Sequence, residues 1–328
     1  MARQKFNILA IAQSGRLEYE AIILAASLRL ADPDFPGTLF IAEPRPGRLW
    51  GEANPRISNK TRELLRDLDA EIVSFDSEVF GASYPNGNKI EALCTLPEEP
   101  FLFLDTDTII TGSFAEVTFD FDRPSASMKR ENTWPQEELY GPTVGQTWQE
   151  LYRLFDVPFE PTLDPDEPDN YWQKYLYFNA GWFFHASPRA FGQRYLDWAT
   201  RIWRKPPEVI ECQTMEPWLD QAVLPLVIAS FGGGRPGPEL AGLDGDVTCH
   251  WRVMPLMFAR ERDLAVEMMK KVASQSAVRD VLQKYGPARK MLYEGAGDQI
   301  RAMFDRNDLP RKEQAIRNRI KREGLWTR

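Results

Sequence analysis

Phe101-Leu102-Phe103-Leu104 runs straight into Asp105-Thr106-Asp107. A short unbroken apolar run is the pattern of a strand buried on both faces. Residues i and i+2 of a strand point the same way, so the two carboxylates are expected side by side at its end. In open α/β sheets the carboxyl ends of the strands are where ligands sit. Asp105 and Asp107 therefore either cap a turn or hold a cation.

The chain around that stretch alternates. β-prone runs at residues 6–12, 38–42 and 71–75 precede it, separated by helical patterns at 17–30, 58–68 and 88–96. Ser58 stands where an N-cap belongs, and the prolines and glycines between Pro44 and Pro55 mark a loop. Strands alternating with helices of this length predict βαβ units and a mostly parallel sheet.

After Asp107 the pattern changes. Residues 108–113, 125–129, 175–186 and 246–251 are β-prone, the third interrupted by Asn179-Ala180-Gly181. Residues 131–170 are rich in Pro, Trp and acids, with one helix near 147–155. Pro188 sits at a first helical turn, and Phe191, Tyr195, Trp198 and Ile202 follow at helical spacing as a core stripe. A further helix, 215–229, carries Asp220-Gln221, and helices are expected at 259–274, 277–285 and 311–321.

Composition removes several function classes. A net charge of -8 argues against generic nucleic-acid binding, which wants a basic surface. Three cysteines without a pairing pattern suit a reducing cytoplasm. Residues 8–12 are too short a run for a signal peptide, and no window approaches the roughly 18 apolar residues of a membrane span. Gly232-Gly233-Gly234 lacks the spacing of a phosphate cradle, and the acidic run 164–169 lacks the glycine and distal Glu of an EF-hand.

What remains is a set of polar residues around the aspartate strand. A hard divalent cation such as Mn²⁺ or Mg²⁺ takes oxygen ligands, with substrate phosphates completing its shell. His250 can add an imidazole to such an ion, whereas Cys249-His250 as a zinc pair lacks other spaced ligands. His185, after an apolar run, reads as structural. Lys89, just before the aspartate strand, is a candidate phosphate contact or a surface lysine. Asn179 and Asp220-Gln221 lie in apolar surroundings, and buried polar groups need partners: each other, or sugar hydroxyls.

Taken in order, Asn88-Lys89-Ile90, Phe103-Leu104-Asp105-Thr106-Asp107, Phe178-Asn179-Ala180-Gly181, Asp220-Gln221 and His250 resemble the motifs of GT-A glycosyltransferases. The group most similar is glycosyltransferase family eight, that of glycogenin and the lipopolysaccharide galactosyltransferases. The resemblance runs from about residue 6 to residue 250. It implies an α/β GT-A fold, a Rossmann-like mostly parallel central sheet with flanking helices and a helical C-terminal extension. Residues 1–255 would form the glycosyltransferase domain, with a nucleotide-binding half at 1–113 and an acceptor-side half at 114–255. Residues 256–328 would be the extension.

The resemblance also implies a UDP-sugar donor held through Mn²⁺ or Mg²⁺ by Asp105, Asp107 and His250, with Asp105 also near the donor ribose and Lys89 beside the sugar and phosphates. Asn179, Asp220 and Gln221 match the residues lining the sugar site, and the implied outcome is retention of configuration. The first turn, Gln13-Ser14-Gly15-Arg16, departs from the family's base-gripping pattern, so Gln13 and Tyr19 are the local candidates for the base. Trp251-Arg252-Val253 replaces the usual Gly and Lys after the histidine, which offers Arg252 for the diphosphate. The acceptor, whether glycan, lipid-linked or protein, is not readable.

Two other functions compete with that one. A degenerate transferase would bind nucleotide-sugar or carbohydrate without catalysis. A sugar-phosphate nucleotidyltransferase would carry a longer glycine-rich basic loop after its first strand. The basic residues Arg311, Lys312, Arg317, Arg319, Lys321 and Arg322 flank Ile316 and Ile320 on the last helix. Such a helix can be solvated, meet a second copy in a homodimer, or lie peripherally on the anionic inner face of a membrane.

Overall fold

The structure, a computed structural model, describes residues 3–129 and 134–327; the first residues of the Pro- and Trp-rich segment, 131–133, lie outside them. Its centre is a five-stranded sheet in the order β3-β2-β1-β4-β6. β1 (Asn7–Ile11), β2 (Leu39–Pro44), β3 (Ala70–Phe75) and β4 (Phe101–Leu104) run parallel, and β6 (Trp182–His185) closes the edge antiparallel to β4. The mostly parallel sheet expected from the alternation is borne out. β4 occupies the four apolar residues that define it in the sequence, every one buried.

The sheet is covered on both sides. On one side α1 (Arg16–Ala31) lies against it with Ile22, Ile23 and Leu28 fully buried. α2 (Asn59–Asp67) follows β2, and Ser58 caps it by accepting from the Thr61 amide. The other core cluster gathers the opposite pleats of the strands, Leu9, Phe40 and Phe103, with the helices described next. Phe103 stacks on Phe183 at 4.7 Å between ring centroids.

Several elements are shorter than their sequence patterns. The helix expected at 88–96 is the single turn α3 (Asn88–Glu91) followed by a tighter turn, Leu93–Thr95, stopped before Pro97. The β-prone run 175–186 yields strand only at Trp182–His185, because the Asn179 side-chain oxygen accepts from the Gly181 amide and bends the chain into an Asx-turn. Residues 125–129 contribute one isolated bridge, Ala126 to Phe183.

α4 (Val144–Leu154), α5 (Pro188–Arg204) and α6 (Leu219–Ser230) complete that second side. Phe191, Tyr195 and Ile202 of α5 are buried core, as their spacing predicts. A two-stranded antiparallel ribbon joins β5 (Thr108–Ile110) to β7 (Thr248–His250), with Thr108 opposite His250.

The C-terminal part is helical: α7 (Met254–Arg260), α8 (Asp263–Ser274), α9 (Ser276–Leu282), α10 (Gly286–Ala288), α11 (Ala296–Met303) and α12 (Glu313–Arg322). The single helix expected at 259–274 is split, since Glu261 takes an extended backbone and turns its carboxylate inward to Cys249, 3.4 Å away. α7 crosses residue 255, and the helices after it share one core with α1 and the sheet. Ile316 and Ile320 of α12 are spent in that core. The apolar stripe of α12 is therefore covered by the chain itself. Among the described residues, no helix is long and apolar enough to cross a membrane.

Candidate active site

Three segments converge at the carboxyl end of β4. Asp105 follows the strand, and its amide donates to the Gly181 carbonyl at 2.8 Å, which ties it to the start of β6. Thr106 and Asp107 form a turn into β5, and the Thr106 hydroxyl donates to the Ile11 carbonyl at the end of β1. The Asp107 carbonyl accepts from the Trp251 amide at 3.0 Å, extending the β5–β7 pairing by one step. That register sets His250 beside Asp107. A tight turn, not strand alternation, brings the two carboxylates together.

The donor atoms are close. His250 Nε2 lies 3.1 Å from Asp107 Oδ1 and 3.8 Å from Asp105 Oδ2. One ligand atom from each of Asp105, Asp107 and His250 fits within 4.8 Å of the others. Gly181 makes this approach possible: a Cβ there would stand 2.5 Å from His250 Nδ1.

The cations are arranged around the carboxylates. Lys89 Nζ sits 2.8 Å from Asp105 Oδ1, 3.1 Å from Asp220 Oδ2 and 3.3 Å from the Ala180 carbonyl. Burial pushes the Lys89 ammonium down, but Asp105 and Asp220 outweigh it, and the group is held above its ordinary range. Arg16 Nη1 lies 3.3 Å from Asp107 Oδ2 and 3.0 Å from Glu20 Oε1.

Burial raises the Asp105 carboxyl, and Asp107 adds to the rise against Lys89 and His250. Asp107 is also buried, yet His250 and Arg16 overcome that and hold it below the usual carboxylate range. Two acids two residues apart thus titrate in opposite directions, one caged with Lys89 and the other bridged to His250 and Arg16.

A cleft of about 160 Å³ opens beside them, lined among others by Arg16, Lys89, Asp105, Asp107, Asn179, Asp220 and Gln221. This is well under the roughly 300–1,000 Å³ of a pocket that buries a whole ligand. A larger cavity, about 1040 Å³, lies elsewhere, between α4 and the residues around Phe159 and Glu208.

The polar residues singled out in the sequence have separate partners. Asp220 Oδ1 accepts from the Tyr84 hydroxyl at 2.7 Å, and the Asp220 carbonyl accepts from Tyr195 at 2.6 Å. Gln221 Oε1 accepts from Tyr177 at 2.6 Å, and Asn179 donates to the Lys129 carbonyl.

Three candidates stand off the cleft wall. Gln13 Oε1 accepts from Asn88 Nδ2 at 2.8 Å. Tyr19 stacks on Tyr285, centroids 4.6 Å apart with the ring planes nearly parallel, so one ring face is taken. Arg252, with φ at +66°, sends its guanidinium to the Lys129 carbonyl at 3.0 Å. His250 is off the wall too but contacts both aspartates. His185 is buried and bonded locally to Ser187.

Sequence reasoning missed Arg16, Glu20 and Tyr84. Arg16 had a signal: it is a charge at the first turn after β1, the strand beside β4. Tyr84 had none.

Sheet and cleft together define an α/β enzyme with an acid-and-histidine cluster at the sheet's carboxyl edge. Residues 8–232 match the family described as Rhodobacterales glycosyltransferase domain, and the chain belongs to that family. It is a glycosyltransferase. The match takes in Lys89, Asp105, Asp107, Asn179 and Asp220 and ends before His250.

No curated protein matches the chain by sequence. Among solved structures, it is similar to the galactosyltransferase LgtC in complex with donor and acceptor sugar analogues. That similarity has a TM-score of 0.42 at 14% identity, over 95% of this chain and 100% of that one. It is also similar to the apo form of the glycosyltransferase GlyE of Streptococcus pneumoniae TIGR4, with a TM-score of 0.46 at 12% identity, over 86% and 64%. The bifunctional WbbM apo structure gives a TM-score of 0.46 at 12% identity, over 87% and 52%.

Proposed function

We propose that this glycosyltransferase takes its sugar from a nucleoside-diphosphate donor, UDP-linked by the motif resemblance, and passes it with retention to an acceptor hydroxyl. The observation that carries the reading is the convergence of Asp105, Asp107 and His250 at the mouth of the cleft that Lys89, Asn179, Asp220 and Gln221 line.

The residues fit a hard divalent cation. Two carboxylates and an imidazole are an acceptable donor set for Mn²⁺, and the oxygens also suit Mg²⁺. Ligands about 2.1 Å from one ion and at right angles stand about 3.0 Å apart, close to the 3.1 Å between His250 Nε2 and Asp107 Oδ1. His250 Nδ1 has no partner among the described residues, so nothing there fixes the imidazole tautomer. When bound, the cation offsets charge that builds on the departing diphosphate.

The chain's own groups do the positioning. Lys89 holds Asp105 and Asp220 apart and in place, and Tyr84 fixes the remaining Asp220 oxygen. Asp220, Gln221 and Asn179 face the cleft with acceptors and donors of the kind sugar hydroxyls need. Both Asp220 oxygens have partners, and no Ser or Cys lines the cleft among the described residues. That favours attack of the acceptor on the same face over a covalent intermediate.

Isothermal titration with UDP, GDP, CDP and ADP, with and without Mn²⁺, tests the reading. One of the four is expected to bind, more tightly with the metal, and Asp107→Asn is expected to abolish the metal's effect together with donor hydrolysis. If none binds under either condition, the donor assignment falls.

A further inference from the structure

Among the described residues Lys89 and Arg16 reach the aspartates and Arg252 follows His250 by two residues, and of these three cations two are already committed. An ammonium has three N–H donors. Lys89 spends them on Asp105, Asp220 and the Ala180 carbonyl, and its side chain is only 9% exposed. Arg252 is not on the cleft wall, and its guanidinium lies on the Lys129 carbonyl.

Arg16 differs from both. It lines the cleft, and its side chain is 36% exposed. Its polar contacts, to Glu20, Asp107 and the Arg252 carbonyl, all run through Nη1. Among the described residues none of these three contacts takes Nε or Nη2, although Tyr285 also acts on the guanidinium, and two parallel donors of a guanidinium match two phosphate oxygens. Glu20 and Asp107 anchor one end of the fork.

A second feature adds positive potential at the same place. Arg16 is the first residue of α1, a sixteen-residue helix. The helix has no side-chain cap, because Gly15, at φ +94°, occupies the N-cap. The first-turn amides and the positive end of the helix dipole therefore lie where Arg16 and Leu17 border the cleft.

We infer that Arg16 binds the donor's diphosphate directly and gives nucleoside-diphosphate affinity that persists without the divalent cation. The inference rests on the donor reading proposed above and adds a residue to it. Arg16 shares Asp107 with the metal position, so it supplements the cation's charge on the diphosphate from the side of α1.

Titration of UDP into the wild-type protein and into Arg16→Gln and Arg16→Lys, in EDTA and in Mn²⁺, tests it. GDP, CDP or ADP replaces UDP if it binds the wild type more tightly. The wild type is expected to bind in EDTA. Arg16→Gln is expected to lose about tenfold or more there, the scale of one charge-assisted pair, with Arg16→Lys recovering part of it.

The matching nucleoside, which lacks phosphate, is expected to bind Arg16→Gln and wild type alike, which separates lost contact from lost fold. Unchanged EDTA affinity in Arg16→Gln overturns the inference and leaves the donor reading standing. So does a wild type that binds only with Mn²⁺, or an equal loss in Arg252→Gln. Failure of all four nucleotides under both conditions overturns the donor reading instead.

Discussion

Lys89 pairs with Asp220 at 3.1 Å, joining the turn before β4 to the second residue of α6 with both side chains nearly inaccessible. Removing one partner of a buried pair leaves the other charge without compensation, which costs about 3–5 kcal/mol. Lys89→Met leaves Asp105 and Asp220 facing each other without their shared cation. The expected result is a loss of that order in urea unfolding. The Lys89 pKa is raised in the folded state, so its contribution is complete below the unfolded lysine value and fades only as pH climbs through the folded one. The difference between wild type and variant should hold steady from about pH 6 to about pH 9. A difference that shrinks across that window would mean Lys89 is not held charged by its carboxylates.

Gly181 tests the other half of the site. Its φ is not in the left-handed range, so alanine meets no backbone penalty. The obstacle is contact: a Cβ would stand 2.5 Å from His250 Nδ1 and 2.8 Å from Asn179 Oδ1. Gly181→Ala is expected to push the imidazole from its place beside Asp107 and weaken Mn²⁺ binding by about 10–100-fold, the scale of lost ligand support. The fold should survive, with a cost of about 1–3 kcal/mol from overpacking. Mn²⁺ titration followed by electron paramagnetic resonance reads the first effect. Unaltered Mn²⁺ affinity would remove His250 from the ligand set.

The sequence carried the sheet well because its signals there are local. Four apolar residues bounded by Pro100 and Asp105 leave little choice for β4, and the observed strand matches them residue for residue. The site was legible as a set of residues and less so as a geometry. Asp105 and Asp107 meet through a turn anchored on Ile11, and His250 arrives through the pairing of β5 with β7. Both are long-range facts that no single window contains. Arg252 shows the same limit: its position after His250 suggested the diphosphate, but a positive φ turns its side chain to Lys129. Arg16 took the place beside Asp107, and only the fold of the β4–β5 turn could show it.

Tyr84 supports the site without touching the acidic cluster. Its hydroxyl donates to Asp220 Oδ1 at 2.7 Å and accepts from the Asp220 amide at 3.0 Å, in a position closed to water. Tyr84→Phe removes a charge-assisted donor from a buried carboxylate, worth about 1.5–3 kcal/mol. Stability should fall by that amount. Because Asp220 keeps Lys89 but loses its second anchor, kcat for sugar transfer or donor hydrolysis should fall more than KM for the donor. Steady-state kinetics with the variant at full occupancy of its fold separates the two. A loss confined to KM would place Tyr84 in binding alone.

Glu20 supplies a second measurable pH dependence. Its carboxyl is buried on α1, and burial, with Asp107 nearby, raises it well above the ordinary value despite Arg16. Between the unfolded carboxylate pKa of about 4.3 and that raised folded value, the native state binds more protons than the unfolded one. This group's contribution to stability therefore falls as pH rises through the interval. Glu20→Gln keeps an acceptor for Arg16 and removes the titration. Urea unfolding between about pH 5 and about pH 8 should show the wild type losing stability with pH relative to the variant. At the acid end the two should converge, since Glu20 is protonated and neutral there. A wild type that gains on Glu20→Gln as pH rises would show that Arg16 holds Glu20 ionised, and the guanidinium would then be neutralised by two carboxylates instead of one.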